Sequence, residues 1–181
     1  MGVDITAFVE TRDIRDGSWH ILPVKVECVR YVASNPKEPW NHDKAEMYYD
    51  YAQPWYGRNS ELFSILEGGN YNSILSYSRG LPTDVSKEVY DFHEQFKNED
   101  FDGYWSYGES YLTLAELSSA LTDRKKYPKW IKYRDEFGSK IKEHGSYWDL
   151  KDFVDAIRYF TNLVPGVYDS NDVRVVFWFD C

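Results

Sequence analysis

The ten residues DVRVVFWFDC at the end of the chain constrain its fold more than any other stretch. Val173, Val175, Phe177 and Phe179 alternate with Arg174, Val176, Trp178 and Asp180, the period-two pattern of a β-strand. Chain termini are usually frayed and polar. An apolar terminus with this alternation predicts an inner strand of a sheet, and such a strand needs a partner.

The opening residues supply one. Val3, Ile5, Ala7 and Val9 alternate with Asp4, Thr6, Phe8 and Glu10. An antiparallel pairing with Asp4 opposite Asp180 sets Thr6 against Trp178, Phe8 against Val176 and Glu10 against Arg174, giving one salt bridge and one carboxylate dyad. A parallel pairing sets Asp4 by Arg174 and Glu10 by Asp180. The alternation is compatible with both. Asp16-Gly17 reads as a hairpin turn into a second strand run, which Pro23 bends or confines to an edge. The polar, aromatic stretch from Ala33 to Tyr56, with three prolines, reads as a long loop.

Helical signals occupy the middle. Asn59 or Ser60 caps a helix that Gly68 ends, and Asp84 or Ser86 opens one with Val85, Val89, Phe92 and Phe96 on a single stripe. Capping boxes start at Thr113 and Ser146, and the second precedes the stripe Leu150, Phe153, Val154, Ile157 and Phe160. Pro128 suits a first helical turn, followed by Trp130, Tyr133, Phe137 and Ile141 as the stripe of a basic helix. Strands at both ends and helices between predict one α+β domain over residues 1–181, a mixed or antiparallel sheet packed with about five helices. A chain of 181 residues buries roughly 70% of its unfolded surface without a disulfide or metal staple.

Charge narrows the function classes. Against 21 basic residues stand 30 acidic ones, a formal charge of −9 that opposes approach to a phosphate backbone. Between Asp123 and Glu143 eight basic residues outnumber four acidic ones, and Lys125, Lys126, Lys129 and Lys132 are the one candidate basic patch. A solvated helix face explains them better than nucleic acid does. Cys28 and Cys181 have neither metal-ligand nor bridge-framework spacing. With no leader pattern at MGVDITAFVE and no apolar run of membrane length, the expectation is a cytoplasmic protein without membrane contact.

Five segments, MGVDITAFVE, YGRNSELFSILEG, SRGLPTDVS, SYLTLAEL and VRVVFWFDC, occur in an order that resembles a family of small uncharacterised proteins of bacteriophages and prophages. The resemblance covers the two ends and about a third of the chain. It implies a phage or prophage origin, hence the host cytoplasm, and carries no activity. Relatives of that family open closer to Met-Gly-Cys-Asp-Ile-His and carry a histidine turn before the SYLTLAEL helix. Thr6 and the run Tyr107 to Ser110 stand at those places here.

Candidate site residues follow from chemistry. Aromatic runs from Met47 to Tyr56 and from Phe101 to Tyr111 flank the arginines of two family-like motifs. Arg58, Arg79, Tyr56, Trp105 and Tyr111 therefore form a candidate ligand-binding set, since arginines clamp phosphates and aromatic rings stack bases or anchor proteins. Asp4 and Asp180 join them if the terminal strands pair. His20, His42, His93 and His144 lack the paired spacing of a zinc site, and neither a Gly-x-Ser-x-Gly elbow nor a phosphate-cradling glycine loop is present. The expectation is an accessory protein, without cofactor or metal, that binds a host protein or a small nucleotide-like ligand. The alternative is a metal-dependent hydrolase using Asp4, Glu10 and Asp180. Oligomeric state is not set by the sequence.

Overall fold

The structure is a computed structural model that describes residues 3–69, 73–98, 106–123, 131–134, 141–144, 146–166 and 168–180. Its centre is a four-stranded antiparallel sheet in the order β2 (Trp19–Ile21), β1 (Asp4–Arg12), β8 (Val173–Asp180), β5 (Ser106–Thr113). β8 thus lies between the first strand and β5, and all eight of its residues are buried. The fold is α+β, with both terminal strands in one sheet, as the alternation implies.

Of the two registers open to β1 and β8, the chain adopts the antiparallel one. Asp4 pairs with Asp180, Thr6 with Trp178, Phe8 with Val176 and Glu10 with Arg174. Ile5, Ala7, Val9, Val175, Phe177 and Phe179 consequently face a core built with α1 (Ser60–Leu66), α3 (Leu114–Thr122) and α4 (Ser146–Leu163). The opposite face is also covered. Phe8, Val176 and Trp178 pack beneath α2 (Lys87–Asn98), where Phe92 stacks on Phe8 at 5.0 Å between ring centroids. A sheet buried on both faces explains why the polar-looking side of β8 still carries Val176 and Trp178.

Local signals account for the helix ends. Asn59 Oδ1 accepts from the backbone N–H groups of Glu61 and Leu62 and caps α1. Thr113 and Glu116 form the expected capping box of α3. Gly68 follows α1 at φ +85°, and a Cβ there would meet the Tyr77 carbonyl carbon at 2.7 Å. Only glycine permits both the left-handed turn and that approach.

Two expectations are corrected. Four helices occur among the described residues, close to the expected number, but the segment expected as a basic helix contains β6 (Ile131–Arg134) paired with β7 (Ile141–His144). Ile131 and Tyr133 alternate with Lys132 and Arg134 as well as they fit a helical stripe, and Gly138 costs about 1 kcal/mol in a helix interior. Lys125, Lys126, Pro128, Lys129, Trp130 and Phe137 lie outside the described residues, as do the side chains of Lys132, Tyr133, Phe96 and Ser146. The stretch expected as a long loop contains β4 (Lys44–Tyr51), which pairs with β3 (Lys25–Val32) from Lys25 opposite Tyr51 to Val32 opposite Lys44. Pro23 is the bend at which the chain leaves the central sheet for this hairpin.

One buried polar network ties α2 to the sheet. Arg174 donates through Nε to Glu10 at 2.7 Å and through Nη1 to the Asp84 carboxylate at 2.7 Å, and its guanidinium lies 4.0 Å from the Trp19 ring centroid. The second Glu10 oxygen accepts from the Ser86 N–H at 2.7 Å, just before α2 begins. Burial pushes the Asp84 carboxyl up, but the Arg174 hydrogen bond and charge outweigh it and hold that group below the ordinary range. Arg174→Met leaves Glu10 buried without its cation and should cost roughly 3–5 kcal/mol. Glu10→Met with Arg174→Met should recover part of that loss, because an apolar pair removes both buried charges but leaves the Ser86 N–H without its acceptor. Urea denaturation of the two variants measures the difference.

Candidate functional site

The antiparallel register gathers polar groups at one end of the sheet. Asp180, only 8% exposed, accepts a hydrogen bond from Thr6 Oγ1 at 2.8 Å and sits directly across from Asp4. Arg58, in the turn before α1, reaches the Asp4 carboxylate with Nε at 3.3 Å and Nη2 at 3.5 Å. Burial raises the pKa of Asp180, and the Asp4 carboxylate adds to that, while Thr6 and His93 pull the other way.

His93 closes the inner side of this cluster. It lies on the buried stripe of α2, four residues after Val89, with its ring edge-on to Trp178 at 5.1 Å and only 1% of the residue exposed. Nε2 meets Glu109 Oε1 at 3.3 Å, and Nδ1 stands 3.7 Å from Glu94 Oε1. Glu109 is aimed there by a bulge in β5. Between the pairs Tyr107–Phe179 and Ser110–Phe177 two β5 residues, Gly108 and Glu109, oppose Trp178 alone. Gly108 takes φ +68° with the Phe179 ring 3.0 Å from where a Cβ would stand, so the bulge requires glycine.

The candidate residues divide among three places. Asp4, Asp180 and Arg58 come together. Arg58 also lines a cleft of about 480 Å³ with Val3, Ser60, Phe63, Ser64, Glu67 and Tyr107. Arg79 goes elsewhere, with Nη2 and Nη1 on the two Glu116 oxygens at 2.6 and 3.1 Å, Nη1 also on the Tyr111 carbonyl at 3.2 Å, and its guanidinium 5.2 Å from the Tyr111 ring centroid. Because Glu116 also closes the α3 capping box, Arg79 fastens the segment before α2 to the start of α3. Tyr56 is 59% exposed, and its hydroxyl accepts from the Gln53 N–H at 3.1 Å. Trp105 lies outside the described residues.

Glu10 stands six residues from Asp4 along β1, about 20 Å at strand spacing, with both oxygens engaged. It therefore does not join Asp4 and Asp180 around one ion. Among the described residues the cluster with metal-ligand spacing is Asp13 and Asp16 of the β1–β2 turn with His20 of β2, where Arg15 holds Asp13 and Ser18 contacts both Asp16 and His20.

The β3–β4 hairpin is the other unusual surface. Directly opposed residues share a face, so Val29, Met47, Tyr31, Ala45 and Tyr49 lie on one side of the ribbon. Val29 is 48%, Tyr31 64%, Met47 58% and Tyr49 68% exposed. The reverse side is internally paired: Arg30 binds Glu46 at 3.1 Å and lies 5.8 Å from the Tyr48 ring centroid. The ladder runs on to the base of the arm, where the Ala52 N–H donates to the Val24 carbonyl, and the body is met there by Val24 against the main core and by the edge of Tyr51 on Phe92 at 6.1 Å.

Compared with protein-family models, curated proteins and solved structures, the chain matches none. The functional reading therefore rests on the geometry and on the sequence resemblance. Sequence reasoning missed the pairing of His93 with Glu109; the available signal was a histidine at helical spacing within an otherwise apolar stripe.

The raised pKa of Asp180 has a signed consequence. Between the unfolded value near 4 and the higher folded value, the folded chain binds more protons, so stability falls as pH rises through that window. Asp180→Asn should raise the melting temperature at pH 7 and lose that advantage below about pH 4. Thermal melts of both chains across that range check it.

Proposed function

We propose that this chain is a phage or prophage accessory protein that works by binding, with the β3–β4 arm as its contact element and a host protein as its partner. The carrying observation is the exposed apolar face of Val29, Tyr31, Met47 and Tyr49 on a ribbon that buries little against the body. A contiguous apolar patch rimmed by charges marks an interaction surface, and tyrosine and methionine are enriched in such patches. A nucleotide-like ligand fits less well. Arg79 is committed to Glu116, and Arg58 shares its cleft with Glu67 and pairs with Asp4.

Tyr31→Ser with Tyr49→Ser should abolish retention of the partner from host extract while the melting temperature changes little. Retention unaffected by the double substitution would refute the arm as contact element. A nucleotide released on denaturing the purified protein, found by mass spectrometry, would move the reading to the Arg58 cleft.

The hydrolase reading draws on the Asp4–Asp180 pair, where a buried carboxyl with a raised pKa faces a half-exposed carboxylate. Such a pair suits proton transfer at a bound substrate. A divalent cation at this pair should raise the melting temperature of the native chain and leave that of Asp4→Asn unchanged.

A further inference from the structure

We infer that two copies of this chain pair through β4, antiparallel and centred on Met47, joining their arms into one four-stranded sheet. The inference deepens the reading of the arm as contact element, but rests on the β4 edge and not on the apolar face offered to a host partner. A two-stranded ribbon alone is marginal in water and gains stability from further strands. Among the described residues β3 and β4 pair only with each other, so each presents an outer edge with unpaired backbone groups.

Among the three central residues of β4, Glu46, Met47 and Tyr48, the sequence selects one register. An antiparallel pairing keeps the apolar faces of two arms continuous only when residues of the same parity stand opposite, which restricts the centre to a residue rather than a peptide bond. Centring on Glu46 sets Glu46 against Glu46 of the second copy. Centring on Tyr48 sets Glu46 against Asp50. Both oppose like charges. Centring on Met47 sets Lys44 against Asp50 of the second copy, Glu46 against Tyr48 and the small Ala45 against the large Tyr49, with Met47 facing itself. Each opposed pair is then complementary in charge, hydrogen bonding or size. At the two central residues of β3, Cys28 and Val29, the same operation brings no pair of opposite charges together. Centred on Cys28 it opposes Val26 to Arg30 and Glu27 to Val29, and centred on Val29 it opposes Glu27 to Tyr31.

In the joined sheet Val29, Met47, Met47 and Val29 form one row across four strands, doubling the apolar face. The strand that carries the charges for pairing is thus also the one that completes the patch.

Purified protein without host material tests this separately from the host-partner reading. In a Cys28→Ser, Cys181→Ser background, Met47→Cys should form a disulfide-linked dimer under mild oxidation. Directly opposed Cα atoms lie about 4.5–5.5 Å apart, within the disulfide range. Ala45→Cys and Tyr49→Cys chains should cross-link when mixed and not when oxidised separately. Sedimentation should give a dimer for the native chain and a monomer for Lys44→Asp and for Asp50→Lys, with the double exchange restoring the dimer. A monomeric native chain at micromolar concentration overturns the inference, as does a dimer unaffected by the charge exchanges or one that cross-links no faster at position 47 than at position 30 of β3. Circular dichroism of each variant confirms that the body is folded. Failure of these experiments leaves the host-partner reading standing, and failure of the Tyr31 and Tyr49 test leaves the dimer standing.

Discussion

The ion pair between Glu10 and Arg174 fixes how the two ends of the chain meet. Both groups are buried, Glu10 completely, so neither can be left alone without a large desolvation cost. Sliding β8 by two residues would put Glu10 opposite Asp172 or Val176 and strand one charge. Sliding it by one would turn Phe177 and Phe179 away from α1, α3 and α4 and drive Arg174 and Asp180 into the main core. The register is therefore determined twice, by charge on one face and by packing on the other.

Much of the remaining structure follows from that register. Glu10 accepts the Ser86 N–H while Arg174 holds Asp84, which anchors the start of α2 over the sheet. With α2 in place, Phe92 covers Phe8 and His93 stands against Trp178. At the far end of the same strand pair, Asp4 and Asp180 are forced opposite each other. Their mutual repulsion is a consequence of the salt bridge six residues away. Thr6 and Arg58 offset part of it.

The arm obeys different physics. It contributes little to the core, and most of its side chains stay in solvent. Its two faces differ accordingly: ion pairs are satisfied on one, and apolar groups are left to solvent on the other. No helix of the described residues is long and apolar enough to cross a membrane.

The alternation in residues 3–10 and 173–180 was sufficient to predict paired terminal strands, because a period of two matches the pleat of a strand and not the 3.6-residue turn of a helix. The capping residues Asn59 and Thr113 were equally legible, since a cap is a local hydrogen bond. Alternation does not encode strand direction, so the antiparallel choice came only with the tertiary structure, where Glu10 and Arg174 had to meet Ser86 and Asp84 as well as each other. Residues 131–144 fit a helical stripe and a hairpin alike, being short and interrupted by Gly138. Residues 44–51 showed no burial pattern because the arm has little to bury against. The approach of His93 to the Asp4–Asp180 end was not legible for another reason: only the assembled sheet, with α2 across it and the bulge at Gly108 aiming Glu109 at His93, brings these residues together.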